Sequence, residues 1–333
     1  MVGRRQRGRW QVNETEFRRF LGRVSILTAG QQERLESELR RAAGAREGDA
    51  LVSTKGRGRP SCPACRARRA FRWGFSGKTQ RWRCGDCGRT FGALTGTGLH
   101  RLRQREKWLA YCEQLALGTS VQEAADAVGI HRNTSFRWRH RFLAGPQILQ
   151  ARNLAGIVEA DETYFLESFK GRKDGMPRAP RKRGGKAKKP GLSKEQIPVL
   201  VARERGGATS SAVLKDTTAA TILEALRPIL SEEAILCTDG NTVYESVAEA
   251  CGVPLRAVNI AAGVRVLDGV FHVQNVNGCC SRLKAWMRRF NGVATRHLDN
   301  YLGWRRMLER LKGGDPIQIL ESARVYTSTN KIR

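Results

Sequence analysis

Four cysteines in two short pairs, Cys62-Pro63-Ala64-Cys65 and Cys84-Gly85-Asp86-Cys87, stand 18 residues apart in a chain of 333. Each CxxC can turn as a knuckle that presents two thiolates, and four thiolates close a tetrahedral zinc site. Aromatic and basic residues lie between the pairs (Phe71, Trp73 and Trp82; Arg72, Arg81 and Arg83). That composition suits a small ribbon held by one structural Zn²⁺ in place of a hydrophobic core. Ordinary buried thiols or a redox pair would not need two pairs at this spacing. The other five cysteines (Cys112, Cys237, Cys251, Cys279 and Cys280) are scattered, and they read as small core residues. An odd total of nine does not suit a disulfide framework, which points to a reducing, cytoplasmic setting.

Charge narrows the choice of partner. Sixty Lys and Arg against 31 Asp and Glu leave a net charge of +29. Self-repulsion on that scale opposes a compact monomer unless a polyanion neutralises it. Nucleic-acid phosphate is the obvious polyanion, since each neutralised phosphate releases a counterion. The excess is uneven: residues 61–100 carry +7, whereas residues 197–270 are net −3. A basic solubility tail or a ribosomal protein would not concentrate acids in one central segment. No apolar run approaches the roughly 20 residues of a membrane helix, and the Arg-rich N-terminus lacks the apolar stretch of a secretory signal.

Residues 15–41 read as helix with a break near Thr28-Ala29-Gly30, and the Gly/Ala/Arg-rich stretch from Ala42 to Pro60 reads as a linker. Ser120–Val128, a Gly129-Ile130 turn and His131–Arg141 form a helix-turn-helix pattern. Val121, Ala124, Ala125, Val128 and Ile130 supply its apolar seam. Arg132, Asn133, Ser135, Arg137 and Arg139 are expected to face a DNA groove, with Phe136 and Trp138 as anchors. His131 and His140 read as phosphate contacts. A generic helical hairpin is the alternative, and the charge of the second helix argues against it.

Beyond residue 150 the order is strand Gly156–Phe165, strand Ile197–Arg203, strand Ser211–Lys215, helix Ala219–Leu230, strand Ala234–Thr238, helix Val243–Ala250, strand Leu255–Ile260 and a long amphipathic helix at about Asn277–Phe290. Three strands in succession and then alternation imply a mixed α/β sheet with flanking helices, which is the ribonuclease-H-like order. Between the first two strands, Lys170–Pro190 is basic and aperiodic, the pattern of a mobile loop.

Two of these strands carry acids. Ile157-Val158-Glu159-Ala160-Asp161-Glu162 places three carboxylates on an otherwise apolar strand, and Ile235-Leu236-Cys237-Thr238-Asp239-Gly240 places one at a strand end. Such carboxylates are costly unless they are paired or bind a cation, and neighbouring ones can share Mg²⁺. Alternation puts Glu159 and Asp161 on one face, with Val158, Ala160 and Glu162 on the other. On the long helix, Val276, Cys280, Leu283, Met287 and Phe290 form an apolar stripe beside a polar face of Asn277, Ser281, Lys284 and Arg288.

DETYF at Asp161–Phe165, TDGNTVY at Thr238–Tyr244, HVQNVNGCCSRLK at His272–Lys284 and the stretch Trp286–Arg306 resemble bacterial insertion-sequence transposases of the DDE superfamily. The resemblance is to the insertion sequence 1595 family and spans roughly residues 15–310. It implies a zinc ribbon joined to a ribonuclease-H-like catalytic domain. Asp161 and Asp239 match the first two catalytic acids, Asn277 the third position, and Lys284 the basic residue two helical turns further on. Many relatives carry Glu at the third position and one branch carries Asn. An amide oxygen can ligate a cation but adds no charge. Asp268, Glu159 and Glu162 rank as outer or structural acids.

The chain therefore divides into a helical segment and basic linker (1–60), a zinc ribbon (61–95), a helix-turn-helix domain (100–145), a ribonuclease-H-like catalytic domain (150–312) with a basic loop at 170–190, and a tail (313–333). The resemblance implies a transposase that binds the ends of its own element and carries out metal-dependent strand cleavage and transfer. Asp161, Asp239 and Asn277 would hold Mg²⁺ or Mn²⁺, and Cys62, Cys65, Cys84 and Cys87 one Zn²⁺. Contacts to double-stranded DNA, at element ends and target, are expected from Arg132, Asn133, Arg137, Arg139, Lys182, Arg183, Lys188, Lys189 and Arg288. A homo-oligomer in the DNA complex and a place at the bacterial nucleoid follow from the same resemblance. The second reading is a non-catalytic zinc-ribbon DNA-binding protein with a degenerate ribonuclease-H-like domain, and Asn277 is the feature in its favour.

Overall fold

The computed structural model describes residues 12–54, 60–77, 79–172, 174–179, 181, 184–189, 193–259, 262–312 and 314–325. Helix α1 (Glu14–Val24) begins with a capping box, the Asn13 side chain bonding the Glu16 N–H while Glu16 reaches back. The expected break follows, and α2 (Ala29–Thr54) starts from a second reciprocal cap between Thr28 and Gln31. Helix α2 then runs on through Ala42–Thr54, where a linker was expected. Two of its glycines allow close approach. A Cβ on Gly44 would lie 2.6 Å from the Glu106 carbonyl oxygen, and one on Gly48 would lie 3.2 Å from that of Arg105.

Strands β1 (Ala70–Ser76), β2 (Thr79–Cys84) and β3 (Thr90–Gly92) form a small antiparallel sheet. Its core is Cys62, Ala70, Trp82, Cys84 and Phe91 alone, too little to fold without help. Helices α3 (Trp108–Leu117), α4 (Val121–Val128), α5 (Arg132–Phe142) and α6 (Ala144–Ile148) follow. Helix α4 carries a Ser120–Glu123 capping box and ends at Gly129, whose φ of 64° makes the sharp turn into α5.

The large sheet has the order β6-β5-β4-β7-β8. Strands β4 (Leu154–Leu166), β5 (Gln196–Glu204) and β6 (Thr209–Val213) pair antiparallel, whereas β7 (Leu230–Thr238) and β8 (Leu255–Ala257) join parallel to β4. A meander of three strands followed by two parallel additions on the far side of the first is the ribonuclease-H-like topology. Helices α7 (Ala219–Leu226) and α8 (Val243–Cys251) cover one face, burying Ile222, Leu226, Val247 and Ala248 on Val158, Ala160 and Leu236. Helices α9 (Gln274–Arg288) and α10 (Leu298–Arg310) cover the other.

That second core does not stop at the sheet. Val276, Leu283, Trp286 and Trp304 are continuous with Trp108, Tyr111 and Phe142 of the helix-turn-helix region. Helix α11 (Pro316–Ser322), in the stretch expected to be a tail, buries Ile319 and Leu320 in the same core. A Cβ on Gly98 would lie 2.0 Å from the Arg141 carbonyl oxygen, and one on Gly145 1.9 Å from that of Ser322. Backbone contact this close joins the segment before α3 to α5, and α11 to α6. Among the described residues, no helix is long and apolar enough to cross a membrane.

Candidate active site and nucleic-acid interface

Strand β4 separates its carboxylates by parity. Val158 and Ala160 pack under α7 and α8, so Glu162 points to that side, where Tyr244 donates a 2.6 Å hydrogen bond to Glu162 Oε1. Ile157 and Phe165 pack with the α9 core, so Glu159, Asp161 and the buried Thr163 look toward α9. Glu159 is opposite Cys237 in the parallel β4–β7 ladder. Two residues further on, Asp161 is level with Asp239, just past the end of β7. Gly240, at φ 90°, then turns the chain, and Asp239 Oδ1 accepts the Asn241 N–H at 3.2 Å.

Asp161 is half-buried, and its pKa is pushed up to about 6. Burial is the main cause and the like charge of Asp239 the next; the Glu162 N–H, 2.8 Å from Oδ1, and the Lys284 ammonium pull the other way. Burial likewise raises Glu162, and the Tyr244 hydrogen bond partly offsets it.

Glu159 has a different environment. It is fully buried, accepts bonds from Asn275 Nδ2 (2.8 Å) and the Val276 N–H (3.0 Å), and lies 3.3 Å from His272 Nδ1 and 3.6 Å from Arg205 Nε. A carboxylate from the sheet therefore caps the N-terminus of α9, where the helix has unpaired N–H groups and a positive dipole end. Asn277 is the next residue along. Glu159 thus fastens the strand that carries Asp161 to the helix that carries Asn277. The sequence signal was an acid on a buried strand face, but its partners lie more than 40 residues away and could not be read from spacing.

On α9, Val276, Cys280, Leu283 and Met287 are buried, as is Phe290 beyond it, whereas Asn277, Ser281, Lys284 and Arg288 are exposed. Lys284 and Asp161 both act on the Cys280 thiol, whose pKa burial pushes up to about 12. Asp268 sits in an exposed Leu267–Phe271 turn with φ 51°.

Beside Lys284 and Arg288 an open groove of about 1020 Å³ runs along the end of β4, lined also by Lys170, Arg172, Arg178 and Arg181. The described part of the basic loop folds onto the domain. Arg178 and Arg181 both donate to the Glu167 carbonyl (3.0 and 2.5 Å), and Lys170 Nζ reaches the Gly292 carbonyl at 3.0 Å, beyond the C-terminal end of α9. Lys188 and Lys189 are exposed, and Lys182 and Arg183 lie outside the described residues.

In the helix-turn-helix region, Arg132, Asn133 and Arg137 are exposed. Arg139 corrects the expectation of a groove contact. Its side chain is fully buried, donates to the Thr119 carbonyl (2.8 Å) and lies over the Trp304 ring at 5.0 Å. Ser135 is buried too, and it donates to the Val121 carbonyl. Together with Trp138 and Phe142 these residues form the inward face of α5, while Phe136, expected as an anchor, is exposed. His131 is the N-cap of α5, accepting the Asn133 N–H. His140 stacks on His297 at 3.7 Å, and burial, His297 and the nearby arginines push its pKa down to about 3. With Nδ1 3.0 Å from Asn300 Nδ2 and Nε2 buried, the imidazole faces the protein rather than a phosphate.

In the ribbon, the four Sγ atoms of Cys62, Cys65, Cys84 and Cys87 lie within 4.8 Å of one another. The N–H groups of Ala64 and Asp86 point at Cys62 and Cys84 Sγ (both 3.4 Å), the knuckle arrangement that stabilises thiolates around a metal. Four free thiols in that geometry can hold a zinc ion. Cys112, Cys237, Cys279 and Cys280 are buried as expected, while Cys251 is half-buried.

A four-cysteine ribbon, a helix-turn-helix and a ribonuclease-H-like sheet with acids side by side on two adjacent strands define a chain of the transposase class. Residues 153–305 match the ISXO2-like transposase domain, and residues 99–149 match a homeodomain-like domain. An uncharacterised protein in the transposable element ISH50 of Halobacterium salinarum is 30% identical over 286 residues, covering 84% of this chain and 96% of that protein. The chain belongs to the insertion sequence 1595 family of transposases. Among solved structures, a pre-cleavage Mos1 transpososome is 12% identical over 62% of this chain and 75% of that chain, with a TM-score of 0.22. The Mos1 strand transfer complex is 11% identical over 66% and 78%, with a TM-score of 0.21.

Proposed function

We propose that this chain cuts and joins DNA at the ends of its own mobile element, with Asp161, Asp239 and Asn277 as ligands for Mg²⁺ or Mn²⁺. The observation that carries the reading is the placement of Asp161, within β4, beside Asp239, just past the end of the adjacent parallel strand β7, where burial and the like charge of Asp239 are only partly offset by Lys284. A partly buried carboxylate held beside a second one suits a hard divalent cation. When bound, such a cation supplies Lewis-acid polarisation of the scissile phosphate and lowers the pKa of the attacking hydroxyl. The protein residues do the positioning. Lys284 and Arg288 line the groove and hold the DNA backbone there. Arg132, Asn133 and Arg137, with Lys182, Arg183, Lys188 and Lys189 of the basic loop, dock the duplex, and the ribbon holds one structural Zn²⁺ on its four cysteines.

Two element ends must meet, so a homo-oligomer forms on DNA. Helix α1 offers it a surface, since Phe17, Phe20 and Leu21 are exposed on one side of a helix with no buried residue. The work is done in the cytoplasm, at the nucleoid. The alternative, a DNA-binding protein whose catalytic domain is degenerate, is favoured only by the neutral Asn277.

The test is Mg²⁺-dependent nicking of a labelled duplex that carries the element end. Asp161→Ala and Asp239→Ala should each abolish nicking and leave end binding near the parent level. Asn277→Asp should still cut, whereas Asn277→Ala should lose on the order of a hundredfold. Parent protein that binds the end but never cuts would establish the degenerate reading, and an Asn277→Ala variant cutting like the parent would remove Asn277 from the site.

A further inference from the structure

The ribbon sheet has two unlike sides. One packs Ala70, Trp82, Cys84 and Phe91 around the cysteines. The other is bare. On it Phe71 pairs with Arg83 across the β1–β2 ladder, and Trp73 follows two residues on. Phe71 and Trp73 are each 49% exposed. The Arg83 guanidinium lies 4.6 Å from the Trp73 ring centre and that of Arg69 5.8 Å from the Phe71 ring centre. Arg81 shares this side, held by a 3.0 Å bond to Thr90 Oγ1. Asp86 is the sole acid between residues 61 and 95, against seven arginines.

Two large rings left half in water on one side of a short strand lose hydrophobic stabilisation unless something covers them. A second copy would bring the same arginines against these and be repelled. The complementary ligand is flat, apolar on its faces and anionic along its edge. We propose that the outer side of the ribbon sheet is a binding site for unpaired DNA bases, which stack on Phe71 and Trp73 while Arg69, Arg81 and Arg83 meet the phosphates. Base–aromatic stacking with basic flanks is the physics of single-strand binding. Phe71 and Trp73 are alternate residues of β1, whose backbone positions in an extended strand lie about 7 Å apart, with Trp73 at the start of a bulge in the ladder. Stacked bases in a duplex rise only about 3.4 Å per nucleotide, so a ring for each base requires a strand already unstacked. The site therefore selects single-stranded DNA, and it is independent of whether the catalytic domain cuts.

The experiment uses the full-length, zinc-loaded protein with a labelled oligothymidylate and, separately, a labelled duplex of arbitrary sequence. The double variant Phe71→Ala, Trp73→Ala should bind oligothymidylate at least tenfold more weakly, with duplex affinity within about twofold of the parent. Trp73→Phe should keep most of the single-strand affinity, because a ring remains. Zinc content read on each variant establishes that the ribbon is intact. Ultraviolet crosslinking of oligothymidylate to the parent, with the adduct peptide found by mass spectrometry, needs no variant and should mark residues 70–76. Unchanged oligothymidylate binding by a zinc-replete double variant would overturn the proposal. So would an equal loss for both probes, or adducts confined to other segments. A change in oligomeric state with no change in oligothymidylate binding would instead assign the face to self-association.

Discussion

The two sides of β4 make the most instructive contrast in the molecule. Toward α7 and α8 the strand offers Val158 and Ala160 to a closed apolar layer, and its one acid, Glu162, is met by the Tyr244 hydroxyl. Toward α9 it offers Glu159 and Asp161, two residues apart. Glu159 is surrounded by partners that the protein supplies: a helix N-terminus, an Asn amide, His272 and Arg205. Asp161 has one backbone N–H, the partial offset of the Lys284 ammonium and a repelling neighbour, Asp239. Where the fold completes a carboxylate's environment, that carboxylate is structural. Where it leaves a deficit between two neighbouring carboxylates, it leaves room for a cation.

The contrast can be broken hardest at Glu159. Glu159→Ala leaves Arg205, His272 and the first turn of α9 without their acceptor. Breaking a buried ionic cluster on one side should destabilise the domain by about 3–5 kcal/mol, measured by urea unfolding. A loss below about 1 kcal/mol would mean that the clamp does not hold α9 to the sheet.

Asp161→Asn should do the reverse. A carboxylate whose pKa rises from 3.8 to about 6 on folding binds a proton more tightly in the native state. Between those values the native state holds more protons, so this group's contribution to stability falls as pH rises. The Asn variant should therefore be more stable than the parent by about 1–2 kcal/mol above pH 6, after discount for partial exposure, and the advantage should vanish below about pH 4. Denaturation curves at pH 4 and pH 7.5 check the sign. The smallest effect belongs to the far side, where Tyr244→Phe should cost about 1 kcal/mol for one lost hydrogen bond and leave strand cleavage unaltered.

Much of this contrast was legible in the sequence, because it depends on period. The two-residue alternation of β4 separated Glu159 and Asp161 from Glu162, and the helical period of α9 separated Asn277, Ser281, Lys284 and Arg288 from the buried stripe. The cysteine pairs were legible for the same reason, as chemistry at short fixed spacing. What failed depended on partners distant in the chain. Arg139 looks like a groove-facing arginine on α5, and only Trp304 and Thr119 show why it turns inward. Gly44 and Gly48 look like linker residues until the backbone at Arg105 and Glu106 lies against them. Ile319 and Leu320, a short apolar pair near the C-terminal end of the chain, reveal their role only through the core they join. The basic loop read as unstructured because it has no period, yet Arg178 and Arg181 share the Glu167 carbonyl.

The most direct test of the central claim is thermal unfolding of the parent and Asp161→Asn at pH 7.5, with and without millimolar Mg²⁺ and without DNA. If Asp161 and Asp239 form the cation site, Mg²⁺ should raise the midpoint of the parent, because a ligand bound only by the native state stabilises it. The Asn variant should start higher and respond little. Equal Mg²⁺ shifts in the two proteins would contradict the account, placing the cation elsewhere and leaving the Asp161–Asp239 repulsion without a function.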